Sequence, residues 1–96
     1  FDKALEFYNK ALKIDPINIY AFQNIGFYYL KQGENKKAIS NLLKALKYPG
    51  LNDGKTEYFL GISYFKENDR VNACKYLTIA KNKNYLVEEQ LMKLCN

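Results

Sequence analysis

One pattern recurs in this chain, and its period restricts the fold more than any other feature. Phe22-x-x-Ile25-Gly26-x-x-Tyr29 returns 35 residues later as Glu57-x-x-Leu60-Gly61-x-x-Tyr64. A second pattern follows each copy, first as Ala38-x-x-x-Leu42-x-x-Ala45 and then as Ala73-x-x-x-Leu77-x-x-Ala80. It also stands alone near the start, as Ala4-x-x-x-Tyr8-x-x-Ala11. Ala4 to Ala38 is 34 residues, and Ala38 to Ala73 is 35. Internal repetition on this scale marks a stacked array in which each unit is stabilised by its neighbours. The additional residue is best placed in the loop Pro49-Gly50-Leu51-Asn52-Asp53-Gly54. A loop absorbs an insertion at small cost, whereas a helix would turn its apolar face by about 100°.

Apolar spacing and turn residues together predict six helices, at about 1–14, 18–32, 35–47, 54–67, 70–82 and 85–95. Gly33 is placed to end the second, because glycine accepts a left-handed backbone. Asp15-Pro16 and Tyr48-Pro49 end others, because proline disfavours helical geometry in the residue before it. Asn68 takes the place of Gly33 one repeat later, and Asn52 or Asp53 is placed to cap the fourth helix. Gly26 and Gly61 fall inside helices, where glycine costs about 1 kcal/mol relative to alanine. That cost is tolerable where two helices approach closely, so these glycines and the alanine stripes read as packing residues. The first helix carries Phe1, Leu5, Tyr8 and Leu12 at helical spacing, but no partner helix precedes it. The expectation is a fragment of a longer array, or self-association through that face.

Chemistry is sparse. The chain has no histidine, so the commonest general base and metal ligand is missing. Ser40 and Ser63 lack a neighbouring base or an elbow motif, and no phosphate-binding glycine loop occurs. No catalytic residue, cofactor or metal is expected. Cys74 reads as a buried apolar residue. Two cysteines make no disulfide framework, and with no visible signal peptide the expected compartment is the cytoplasm. No apolar run is long enough to span a membrane. The net charge is +5. Lys3, Lys10 and Lys13 recur as Lys37, Lys44 and Lys47, a basic row on the outer faces of the second helices. A solvated face is the plainer reading. Binding of nucleic acid is the alternative, disfavoured because Arg70 is the one arginine and arginine makes the bidentate phosphate and base contacts.

On these residues the chain resembles the tetratricopeptide repeat family. The stretches Asn24-Ile25-Gly26, Lys31-Gln32-Gly33 and Lys44-Ala45-Leu46 are close to that family's consensus, and Lys10 through Pro16 matches the end of a repeat. The departures are Glu57 in place of a large apolar residue, Asn68 for the turn glycine, Pro49 one residue early relative to Pro16, and Tyr85 for the last proline. The resemblance implies an all-α helical-hairpin solenoid, a right-handed superhelix with a C-terminal capping helix. Residues 1–18 would be half a repeat, 19–52 and 53–84 two full repeats, and 85–96 the cap.

The resemblance also implies a non-catalytic scaffold whose first helices line a concave groove for a peptide or helix of another protein. The residues beside the packing stripe are Tyr20, Gln23, Asn24, Phe27 and Lys31, then Lys55, Tyr58, Phe59, Ile62 and Lys66. Each of the second set follows its partner by 35 residues, so the sets form adjacent rows. Aromatic anchors with lysines at the edges suit an acidic ligand. Phe27, Phe59 and Ile62 could instead pack within the array. Members that clamp a chaperone's C-terminal carboxylate share Asn24 and Lys55 with this chain, but Phe59 stands where they carry arginine. A segment of a larger protein or enzyme is a further alternative.

Overall fold

The computed structural model describes residues 2–96, with side chains from Lys3 onward. Phe1 and its part in the first helix lie outside the described residues. Among the described residues six helices follow one another: α1 (Asp2–Ile14), α2 (Ile19–Lys31), α3 (Asn35–Lys47), α4 (Lys55–Lys66), α5 (Arg70–Asn82) and α6 (Glu89–Lys93). There is no strand among the described residues. Helices α2 and α3 form one hairpin and α4 and α5 the next, and α3 packs on α4 to stack them. Helix α1 packs on α2, and α6 on α5. The result is elongated, 43 × 26 × 18 Å.

The core follows the repeated small-residue stripes. Ala38, Leu42 and Ala45 on α3 and Ala73, Leu77 and Ala80 on α5 are all 0% exposed. Gly26 and Gly61 are the reason. A Cβ at Gly26 would stand 2.6 Å from the Leu42 side chain, and one at Gly61 would stand 2.6 Å from that of Leu77. In α1 the same stripe has no facing helix among the described residues. Ala4 is exposed, and Tyr8 and Ala11 are half-buried.

The ends of α2, α4 and α5 close in the same way. A left-handed residue follows each helix, at Gly33 (φ 77°), Asn68 (φ 60°) and Asn84 (φ 67°). The next amide then donates back to the last turn, from Glu34 to Tyr29, Asp69 to Tyr64 and Tyr85 to Ala80. These bonds satisfy carbonyls that the helix leaves open. The start of α4 corrects the expected cap. Its N-cap is Gly54, at φ 83°, and Asp53 caps from one residue further out by accepting from the Lys55 amide at 3.1 Å. Gly54 is buried at a point where a Cβ would stand 3.0 Å from the Ala80 carbonyl oxygen.

Two features depart from expectation. The last helix is much shorter than 85–95, because residues 85–88 form no helix. Tyr85 lies against Tyr58, and Glu88 accepts a hydrogen bond from the Tyr58 hydroxyl, so contacts with α4 hold this stretch out of helical form. Secondly, Cys74 and Cys95 form a disulfide, with Cα atoms 5.5 Å apart. Cys74 is therefore not a simple buried apolar residue. Disulfides persist in oxidising compartments and are rare in the cytosol, so the support that unpaired cysteines lent to a cytoplasmic location is gone. No described helix is long and apolar enough to cross a membrane.

Glu57, the departure in the second repeat, is buried at 3% exposure and pairs with Lys83. Positions 22 and 48, 35 residues earlier, carry Phe and Tyr. An ion pair has thus replaced two aromatic side chains at the base of the second hairpin.

Candidate binding groove

Helices α2 and α4 stand side by side through the repeat register, and α1 borders α2. Between them lies an open groove of about 610 Å³. Its centre is aromatic. Phe27 and Phe59, each from the first helix of its hairpin, meet with ring centroids 4.7 Å apart. The Lys55 ammonium sits over the Phe27 ring at 5.1 Å, where the ring's negative face attracts a cation. Ile62 continues the apolar surface, and Asn24 supplies an amide. Lys31 and Lys66 end α2 and α4 at the rim, both exposed. Among the described residues lining the groove none is acidic. The wall therefore offers a tilted pair of rings, one amide and three ammonium groups.

Seven of the ten residues expected at this face are thus brought together: Asn24, Phe27, Lys31, Lys55, Phe59, Ile62 and Lys66. Three are not. Gln23 is 8% exposed, and its side-chain amide donates to the Thr56 hydroxyl at 2.8 Å. It ties α2 to α4 instead of facing a ligand. Tyr20 is exposed, but beside Ile17, Tyr48 and Pro49 at the loop end of α2, away from the groove. Tyr58 is turned toward the C-terminal segment. Its hydroxyl donates to the Glu88 carboxylate at 2.7 Å, and its ring lies 5.1 Å from that of Tyr85.

Four lining residues escaped the sequence reading: Ala4, Tyr8, Tyr28 and Leu30. Ala4 and Tyr8 belong to the α1 stripe. The recurring pattern identified that stripe, but as packing. It lines the groove here because no described helix covers it. Nothing in the pattern singles out Tyr28 or Leu30.

Burial pushes the Tyr58 hydroxyl up to about 12, assisted by its hydrogen bond to Glu88 and by the charges of Glu88 and Tyr85. The folded chain therefore favours the neutral phenol. That stabilisation is complete below about pH 10, the ordinary tyrosine value, and is lost as pH rises through about 12. Urea unfolding at about pH 9 and about pH 11.5 should show a fall in stability that is smaller in Tyr58→Phe. An equal fall in both proteins would mean that this phenol carries no part of the effect. Burial likewise raises Tyr64, with the charges of Tyr76 and Asp69 adding to it. Comparison of the native chain with Tyr58→Phe isolates one group.

The basic outer row is partly engaged within the molecule. Lys37 pairs with Glu34 at 3.3 Å and lies over the Tyr29 ring. Lys44 lies over Phe22, and Lys47 over Tyr48. Lys3, Lys10 and Lys13 are exposed.

In comparisons with known proteins, a family model described as TPR repeat matches residues 1–33. A second, described as tetratricopeptide repeat, matches residues 19–49. Together they span residues 1–49, which include the whole of the α2–α3 hairpin. No curated protein matches the chain.

Proposed function

Because the chain belongs to the tetratricopeptide repeat family, whose repeats generally mediate protein–protein interactions, we propose that it is a scaffold module that holds an acidic, apolar-anchored segment of a partner protein in the groove between α1, α2 and α4. The supporting observation is the juxtaposition of the Phe27–Phe59 ring pair with Lys31, Lys55 and Lys66 and no acidic lining residue. An apolar or aromatic ligand side chain would seat on the rings, and flanking carboxylates would meet the ammonium groups. Asn24 would pair with the ligand backbone. Catalysis has no part in this reading. A fold by itself does not determine function, so the weight rests on these side chains.

The test is selection from a random peptide library, with binding of the selected peptides then measured by fluorescence anisotropy. Selected sequences should combine Asp or Glu with a large apolar residue. Phe59→Ala should weaken binding by about 30-fold, the size expected of a central aromatic anchor. Lys55→Ala should weaken it by about 5-fold, with the difference shrinking at high salt. Peptides without acidic enrichment, whose affinity ignores both substitutions, would sink this reading. Self-association through the N-terminal helix face would compete for Ala4 and Tyr8. Its signature is binding that disappears as a dimer forms at higher protein concentration.

A further inference from the structure

The C-terminal segment is held to the rest of the molecule unlike any other element. Beside the buried stripe of α3 runs a second apolar one, Ile39-x-x-x-Leu43-x-x-Leu46. Its counterpart in α5, 35 residues on, reads Cys74, Thr78 and Lys81. Helix α5 thus has little apolar surface there with which to hold a following helix. The segment's own apolar packing is partial: Tyr85, Val87, Leu91 and Met92 are half-buried, and no residue of it is fully buried. Leu86 is 85% exposed and Leu94 51%. Helix α6 has five residues, far below the length at which a helix is stable alone, and no side chain caps it. Its neighbouring polar ties lie in exposed positions: Tyr58 to Glu88, and Arg70 to the Asn96 carbonyl at 3.3 Å. The disulfide joins this segment to α5 at the place where α3 carries Ile39.

We propose that the Cys74–Cys95 bond is a redox latch: oxidised, it clamps residues 85–96 across the end of the α4–α5 hairpin and keeps Tyr58 tied to Glu88; reduced, it frees the segment and returns Tyr58 to the adjoining groove. The ring contacts give the route. Tyr85 meets Tyr58, Tyr58 meets Phe59 at 5.2 Å, and Phe59 meets Phe27 in the groove. The reductant is a dithiol, small or protein-borne. One thiolate attacks a sulfur of the bridge and forms a mixed disulfide, and the second thiol then resolves it. Two electrons and two protons pass to the chain, leaving Cys74 and Cys95 as thiols and the reductant as a disulfide. The consequence for binding rests on the groove reading above, whereas release of the segment does not.

Hydrogen–deuterium exchange on the full chain, oxidised and in dithiothreitol, tests the latch. A Cys74→Ser/Cys95→Ser variant serves as the permanently open form. The amides of Leu91, Met92, Leu94 and Cys95 are hydrogen-bonded within this segment. They should exchange at least about tenfold faster once the bond is cut, while the amides of α4 and α5 keep their rates. Equal exchange of residues 88–96 in both states overturns the latch. So does equal acceleration throughout α4 and α5, which would make the bond a staple of the whole hairpin. An acidic peptide selected as above provides the second readout. A change of about threefold or more in its affinity on reduction supports control of the groove, and unchanged affinity overturns that control. Absence of binding in either state counts against the groove reading alone, since exchange still decides the latch.

Discussion

Replacing Leu42 by alanine is expected to cost about 3 kcal/mol and to lower the melting midpoint by about 12–24 °C. Leu42 is fully buried, and it lies against Gly26, where the missing Cβ leaves room for it between α2 and α3. Truncation loses its transfer energy and leaves a cavity that two tightly spaced helices cannot collapse. Gly26→Ala should also destabilise, by about 1–2 kcal/mol, although alanine is the better helix former by about 1 kcal/mol. Its Cβ would stand 2.6 Å from both Cγ and Cδ2 of Leu42, and Cγ cannot move aside without carrying the whole buried side chain. The two changes should not add. In the double variant the new methyl occupies part of the space that Leu42 vacated, so the combined loss should fall short of the sum by about 1 kcal/mol or more. Urea unfolding of the four proteins measures this coupling. Strict additivity would show that the glycine is not there for Leu42. Gly61 and Leu77 stand in the same relation and should repeat the result.

The second large effect is expected at the ion pair. Lys83→Met should cost about 3 kcal/mol, because it leaves the Glu57 carboxylate buried and uncompensated. The two ends differ: the Glu57 side chain is 4% exposed and that of Lys83 32%. Glu57→Met should therefore cost less, since the lysine left behind can reach water. The joint change Glu57→Met/Lys83→Met should restore stability to within about 1 kcal/mol of the native chain or exceed it. Glu57 Oε1 is buried with no hydrogen-bond partner among the described residues, so the pair does not recover the full cost of its own desolvation. Thermal melts of the three variants check the order. If Lys83→Met and the joint variant lose equally, the pair is not the source of the cost.

The hairpins were legible in sequence because their signals are local. The helix termini of α1 to α5 fall within a residue of the expected positions, set by Pro16, Gly33, Pro49 and Asn68 together with the apolar period. Helix α6 was misjudged because residues 85–88 have no turn chemistry of their own, and Tyr58 decides their path. The groove was legible wherever the 35-residue register decides, as for Phe27 and Ile62 or Lys31 and Lys66. It was not legible where a neighbour decides. Gln23 turns toward Thr56, and Tyr58 and the 85–88 stretch fix each other through Tyr85 and Glu88.

Sequence alone therefore determined the repeat, its helices, the glycine–leucine packing stripes and the row on which ligands are proposed to lie. Each follows from periodicity, backbone preference or side-chain size, which act over a few residues or one repeat length. Tertiary structure alone decided the Cys74–Cys95 pairing, the Glu57–Lys83 pair, the short last helix and the share of the groove taken by α1. These depend on where separate segments meet in space, and no spacing along the chain encodes that distance.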